Sequence, residues 1–327
     1  MTSTSYPKHI PLLPYSDPPG RLRTLDIWLP RPLEEKPLQT SNSLWVVYLH
    51  GGAWRDATKD ATNIEPTLKH LFSNPSSLEN VAGIASLNYR LSPYPSHPSD
   101  PSSPSDEERN AQHPQHIRDV CDGIKYLQQE YGMKRWIGVG QSCGATLLLQ
   151  LVAGIGTKDL PTESSKQPDP QAYNTSPGPE ALILLAGIYN LPLLLRNHSP
   201  PTCSEQIAQI YRDIATGAFG ADPSVYTPVS PVSGSYTPSQ WPEGRLLLLC
   251  HSYEDELVER AQRDVMCVAL DRSGWSLVME VGDEEDEVRA EGRRVLNVRD
   301  LKGKHDWVWK DGDQIAKLIA EVAGRLG

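Results

Sequence analysis

The stretch RWIGVGQSCGATLLLQLVAG, residues 135–154, constrains the fold of this chain more than any other. Its first part is a short apolar run rich in strand formers. Its second part, CGATLLLQLVAG, is too long for a strand and reads as a helix. A buried strand therefore turns into a helix through Gly140-Gln141-Ser142-Cys143-Gly144 with almost no connection between them. Such a turn strains the backbone at the serine and needs small residues on either side of it. It also aims the first peptide N–H groups of the helix toward the serine oxygen, where negative charge can develop. Ser142 is accordingly the candidate nucleophile.

Around this unit, apolar runs alternate with amphipathic ones. RTLDIWLP (23–30), LWVVYLH (44–50), VAGIASLNYR (81–90), ALILLAG (181–187) and RLLLLC (245–250) read as strands, with WSLVMEV (275–281) as the last. PTLKHLF (66–72) reads as a helix, and HIRDVCDGIKYLQQEY (116–131) places Ile117, Val120, Ile124 and Leu127 on one helical face. The amphipathic GDQIAKLIAEVAGRL closes the chain. This order predicts an α/β fold, a mostly parallel sheet with helices on both faces. A length of 327 residues fits one such domain, residues 1–327. Segments 92–114, 156–180 and 282–294 are rich in Pro, Ser and charge and are expected as polar surface excursions from that domain. Segment 188–244 is too long for one connection and is expected to form a small helical cap over the site. No internal repeat is visible, and the sequence sets no oligomeric state.

A second motif answers to the first. The strand VYL ends on His50-Gly51-Gly52-Ala53-Trp54. Enzymes with a serine on a strand-to-helix turn take part of their oxyanion hole from such a glycine loop after an earlier strand. Glycines there permit close approach and unusual φ angles. The candidate oxyanion hole comprises Gly51, Gly52 and Ala53, with the N–H groups of Gly52 and Ala53 as donors, together with the N–H of Cys143. His50 is expected to brace the loop, and Trp54 is a candidate for the substrate wall, beside Tyr89, Tyr253 and Trp307.

A serine hydroxyl needs a base, and the base an acid to hold its tautomer. In this arrangement the chain order is Ser, then Asp or Glu, then His. HSYEDELVERAQ follows the strand at 245–250, so Asp255 and its neighbour Glu254 compete for the acid's place ahead of a helix expected to start near Leu257. His251 comes too early in the order. Beyond Asp255 the chain contains a single histidine, His305, in the loop LKGKHDWVWKDG. The candidate catalytic set is Ser142, Asp255 and His305.

Composition narrows the partners. Asp+Glu 41 against Lys+Arg 31 gives a net charge of −10, which argues against general affinity for nucleic acid or anionic membrane and leaves a small-molecule substrate or a protein as the expected partner. Cys121, Cys143, Cys203, Cys250 and Cys267 are odd in number and form no CxxC pair, so neither a disulfide framework nor a zinc pattern is indicated. No cofactor or metal is expected. The first twenty residues lack a signal-peptide core, and a cytoplasmic location is expected.

With HGGAW, GQSCG, HSYEDELV and KHDWVW together, the chain from about residue 20 onward resembles the fungal kynurenine formamidases (arylformamidases) of the α/β-hydrolase superfamily. The resemblance implies an α/β-hydrolase fold and hydrolysis of N-formyl-L-kynurenine to L-kynurenine and formate, in tryptophan degradation toward NAD. It carries the family's nucleophile to Ser142, its acid to Asp255, its histidine to His305 and its glycine loop to His50 through Trp54. Cys143 departs from the pattern, standing where the family usually has a small or aliphatic residue, and oxidation at the site is a possible consequence. A carboxylesterase of broad short-acyl specificity shares every motif. A non-catalytic binding protein on this fold would normally lack one of the three catalytic residues, and none is missing here.

Overall fold

A computed structural model describes residues 5–33, 43–157, 175–278 and 293–327. Nine strands form one sheet in the order β1-β2-β4-β3-β5-β6-β7-β9-β8. They are β1 (Lys8–Pro14), β2 (Thr24–Leu29), β3 (Leu44–Leu49), β4 (Val81–Leu87), β5 (Arg135–Gln141), β6 (Ala181–Leu185), β7 (Leu246–Ser252), β8 (Ser276–Val278) and β9 (Val295–Leu301). β1 and β2 pair antiparallel with each other, and β2 antiparallel with β4; every other pairing is parallel.

The central strands are apolar on both faces because both faces are covered. In β3, Trp45, Val47 and Leu49 enter one core while Leu44, Val46 and Tyr48 enter the other, the period-two alternation of a pleated strand. The first core receives α2 (Gln115–Glu130) and α3 (Cys143–Ala153). The second receives α1 (Glu65–Ser73) and the C-terminal helix, Asp313–Leu326. Between β6 and β7 the chain runs through α4 (Leu191–Asn197), α5 (Glu205–Phe219) and α6 (Tyr226–Val229). α7 (Ala261–Arg272) follows β7, and α8 (Trp307–Asp311) and α9 (Asp313–Leu326) end the chain. Among the described residues no helix is long and apolar enough to cross a membrane.

The sheet differs from the sequence reading in two places. β1 was not expected; it is an edge strand with no fully buried residue, so no apolar alternation marks it. WSLVMEV is not the last strand: its described part is the short edge strand β8, and β9, VLNVRDL, follows and lies between β8 and β7. Asn297, Arg299 and Asp300 hide β9 from a reading based on apolarity. The helix after Asp255 begins at Ala261, not near Leu257. Of the three polar excursions, residues 158–174 and 279–292 lie outside the described residues, while 92–114 is described. That segment is tied down by polar bonds instead of apolar burial: Arg109 Nη1 donates to Asp100 Oδ1 at 2.8 Å, Tyr94 N to Ser102 Oγ at 2.7 Å, and Ala111 N to Leu91 O at 2.9 Å.

The order reverses at β3, with β4 on one side and β5 on the other. In open α/β sheets the crevice beyond the carboxyl ends of strands at such a reversal is where ligands bind.

Candidate active site

All the sequence-derived candidates sit in loops just past the carboxyl ends of parallel strands: His50 to Trp54 after β3, Ser142 after β5, Asp255 after β7 and His305 after β9. At Ser142 the backbone takes φ 54° and ψ −121°, a left-handed φ that a side chain adopts only under constraint. The flanking glycines are required by close approach. A Cβ on Gly140 would stand 2.6 Å from Ala145 N, and one on Gly144 would overlap Leu49 O at the end of β3. No side chain caps the N-terminus of α3, so its first N–H groups stay open toward the turn.

The glycine loop is also held in a left-handed run, with φ 97° at Gly52, 51° at Ala53 and 60° at Trp54. Arg55 N and Asp56 N donate to Gly52 O at 3.0 and 2.9 Å, closing the loop on itself. Trp54 N donates to Cys143 Sγ at 3.2 Å, which bonds the loop to the first residue of α3. Tyr89 donates its hydroxyl proton to His50 O at 2.8 Å, and its oxygen also lies within hydrogen-bond reach of Cys143 Sγ, at 3.5 Å. Burial pushes the Cys143 thiol up to about 11, against the pull of these hydrogen bonds. The fully buried thiol is therefore a latch between two backbone elements, and the oxidation suggested by its place in the motif is opposed by both burial and protonation. His50 braces the loop as expected: its Nδ1 donates to Gly51 O at 2.8 Å, it stacks on Tyr89, and burial lowers it to about 4, so it is neutral. Gly51 does not line the cavity; a Cβ there would collide with the Gln141 side chain, so its part is clearance.

Three consecutive carboxylates grip the histidine loop. Asp255 Oδ2 accepts from His305 Nδ1 at 2.8 Å, Glu256 Oε2 from His305 N at 3.1 Å, and Glu254 Oε1 from Gly303 N at 3.0 Å. Of the two competitors for the acid, only Asp255 touches the imidazole. Its other oxygen accepts from Leu257 N and Val258 N, both at 2.9 Å. Burial pushes the Asp255 carboxyl up, but the His305 bond and charge and these two N–H groups outweigh it, and the carboxyl lies below its usual range. With Nδ1 donating to Asp255, His305 Nε2 carries the lone pair, and it accepts from Gln141 Nε2 at 3.1 Å. His251, also within 3.7 Å of Asp255, gives its Nε2 proton to Val258 O at 2.9 Å.

Ser142 and His305 open into one cavity of about 520 Å³, together with Gly52 and Ala53. One wall is apolar and comes from Ile188, Leu194 and three isoleucines of α5, Ile207, Ile210 and Ile214. The rim is charged, with Arg55, Lys59, Asp56, Glu256 and Asp306. The aromatic residues here are Tyr94 and Tyr211, which the sequence did not single out. Trp54 does not reach the cavity: it is fully buried and meets Phe219 edge-on at 5.0 Å. Tyr89 is buried behind the loop, and Tyr253 and Trp307 face solvent.

No protein-family model matches the chain. A kynurenine formamidase-like hydrolase of Fusarium equiseti is 33% identical over 325 residues, covering 98% of this chain and 96% of that protein. The kynurenine formamidase of Aspergillus versicolor is 31% identical over 282 residues, 83% of this chain and 85% of that one. The kynurenine formamidase of Saccharomyces cerevisiae is 27% identical over 282 residues, 84% of this chain and 86% of that one. Among solved structures, a truncated carbohydrate esterase from gut microbiota superposes with a TM-score of 0.59 at 15% identity, covering 97% of this chain and 96% of that one. Carboxyl esterase 2 of Tuber melanosporum gives 0.53 at 14% identity, with 93% and 81% covered. These superpositions identify the α/β-hydrolase fold.

Proposed function

Because the chain belongs to the kynurenine formamidase family of α/β-hydrolases, we propose that it hydrolyses N-formyl-L-kynurenine to L-kynurenine and formate with Ser142, His305 and Asp255. The mechanism rests on the orientation of His305. Its Nδ1 proton is committed to Asp255, and its basic Nε2 faces the cavity that Ser142 and the glycine loop share. For the first step Nε2 exchanges Gln141 for Ser142 Oγ, a tightening common when substrate enters an empty site.

Ser142 Oγ attacks the formyl carbon as its proton passes to His305 Nε2. The oxyanion that forms is met by the N–H groups of Gly52, Ala53 and Cys143, donors already fixed in place by strained backbone. Collapse breaks the C–N bond, and His305 returns the proton to the leaving arylamine. A water deprotonated by His305 then attacks the formyl ester, and formate departs as Ser142 recovers its proton. Asp255 stabilises the imidazolium in both halves.

The cavity fits the substrate's shape. A formyl carbon carries only hydrogen and needs little room beside the glycine loop, while the isoleucine wall and Tyr211 receive the aryl ring. The test is kcat/KM for N-formylkynurenine beside phenyl acetate and phenyl butyrate under one set of conditions. The formamide should be preferred by at least about tenfold over the butyrate, since a short acyl site rejects added carbon sterically. Efficient turnover of the butyrate with N-formylkynurenine barely touched would replace this reading by a carboxylesterase.

A further inference from the structure

The cavity contains a cation that no described carboxylate meets directly. Arg55 lines the cavity beside Ser142 and is only 6% exposed, yet among the described residues no carboxylate reaches its guanidinium by a hydrogen bond or ion pair, Asp213 and Asp56 acting on it only through their charge from farther away. The other charges on the rim are spoken for. Lys59 Nζ lies 3.5 Å from Asp306 Oδ2 and over the Trp309 ring. Asp56 accepts from Thr58 and from His97 Nε2, and Glu256 accepts from His305 N. A buried arginine without a carboxylate is costly to keep unless something else fills the place.

Arg55 is also rigidly presented. Its guanidinium carbon lies 4.0 Å above the centre of the Tyr94 ring. Tyr94 is fixed by Ser102, which accepts from its N at 2.7 Å and donates to its O at 3.1 Å. Arg55 N is itself bonded to Gly52 O, so the turn that presents the Gly52 and Ala53 N–H groups also sets the start of the Arg55 side chain. Stacking occupies one face of the guanidinium and leaves its N–H edge for a planar, bidentate anion.

We propose that Arg55 is the specificity residue of this site and binds a substrate carboxylate, so that the enzyme selects acylated arylamines bearing an amino-acid side chain over neutral ones. The reading builds on the proposed hydrolase site and adds recognition at the end of the substrate remote from the scissile bond. An ammonium on the same amino acid meets the acidic rim of Asp56, Glu256 and Asp306, whose carboxylates keep further acceptor positions, so a zwitterion suits the cavity better than a simple anion. Because the guanidinium is held before substrate arrives, little side-chain freedom is lost on binding.

The test compares N-formylkynurenine with its carboxamide, which differs only in the charge and acceptor set at that end. The full-length wild-type enzyme should favour the carboxylate by about tenfold to a hundredfold in kcat/KM, mostly through KM, as expected for a charge-assisted hydrogen bond. Arg55→Met should shrink that ratio to within about threefold, and Arg55→Lys should hold it in between. A structural role in packing on Tyr94 would lower both substrates together and leave the ratio unchanged, which overturns the proposal. So does the absence of any wild-type preference, a result that needs no variant to fold. The same comparison with two aryl acetates, one carrying a carboxylate and one a carboxamide, keeps the two readings apart. If N-formylkynurenine is not turned over but the acetate pair shows the Arg55-dependent ratio, the substrate assignment falls and the carboxylate site stands. If N-formylkynurenine is turned over without a preference for the carboxylate, the reverse holds.

Discussion

Two serine–histidine pairs among the described residues differ in everything but their residue types. Ser92 Oγ and His116 Nε2 are hydrogen-bonded at 3.0 Å, while His305 Nε2 is bonded to Gln141 and not to Ser142. By the Ser–His distance alone the first pair would be the better catalyst. Yet Ser92 is completely buried, the Nδ1 of His116 has no partner among the described residues, and burial drives His116 down to about 3. Among the described residues no acid meets it to fix a tautomer, and neither residue lines the cavity that Ser142 opens into. His305 has Asp255 on Nδ1 and a cavity shared with a strained serine and the glycine loop. What distinguishes a catalytic pair is its surroundings: an acid behind the base, oxyanion donors before the serine, and room between them.

The sharpest attempt to break this contrast is to remove each hydroxyl. Ser142→Ala should cost about 10⁶-fold in kcat with the fold intact. Ser92→Ala should leave kcat within a few-fold and instead lower stability by about 1–3 kcal/mol in urea unfolding, because it strips a buried imidazole of its remaining bond. Equal loss of activity in the two variants would erase the distinction.

Next in size is the acid. Asp255→Asn should lower kcat by roughly 10⁴-fold by disturbing the imidazole tautomer. Glu254→Gln keeps an acceptor for Gly303 N and should cost less than about tenfold. The opposite ranking would move the acid's role to Glu254 and require a different histidine loop from the one seen here.

The smallest expected effect is in acid stability. His116 binds a proton at about 3 when folded and near 6.5 when unfolded, so below pH 6.5 the unfolded state takes up protons that the folded state refuses. Stability is thus present above pH 6.5 and is lost as pH falls toward 3. His50 and His113, both lowered to about 4 by burial, act in the same direction. Asp122, raised by burial and Asp119 to about 6, works against them, gaining its proton earlier in the folded state. Between pH 6.5 and 4.5, His116→Gln should reduce the loss of unfolding free energy by roughly 2 kcal/mol relative to wild type. An identical pH dependence in both proteins would mean that His116 is not held neutral by its burial.

The elements of the site differ in how much of each was legible in the chain. The turn at Ser142 is a local structure: strand, glycine, serine, glycine and helix are contiguous, and their strain follows from that contiguity. The single histidine after Asp255 is likewise a fact of chain order. α2 shows its period because it buries one stripe, whereas α3 and the central strands, covered on all sides, show as apolar runs told apart by their length. β1 and β9 do not, one because it is an exposed edge and the other because polar residues interrupt it.

The sequence by itself determined the strand-to-helix turn, the glycine loop and the chain order of Ser142, Asp255 and His305, the proposed nucleophile, acid and base, since each depends on neighbours in the chain or on counting along it. Tertiary structure alone decided which of three adjacent carboxylates meets the imidazole, because Glu254, Asp255 and Glu256 are equivalent in one dimension and diverge only when their loop meets the loop after β9. It likewise withdrew Trp54 into the core and made Cys143 a latch, and it brought forward Arg55, Tyr94 and the isoleucines of α5. The wall of a cavity is assembled from segments far apart in the chain. No local period records which of their side chains will be left facing the same empty space.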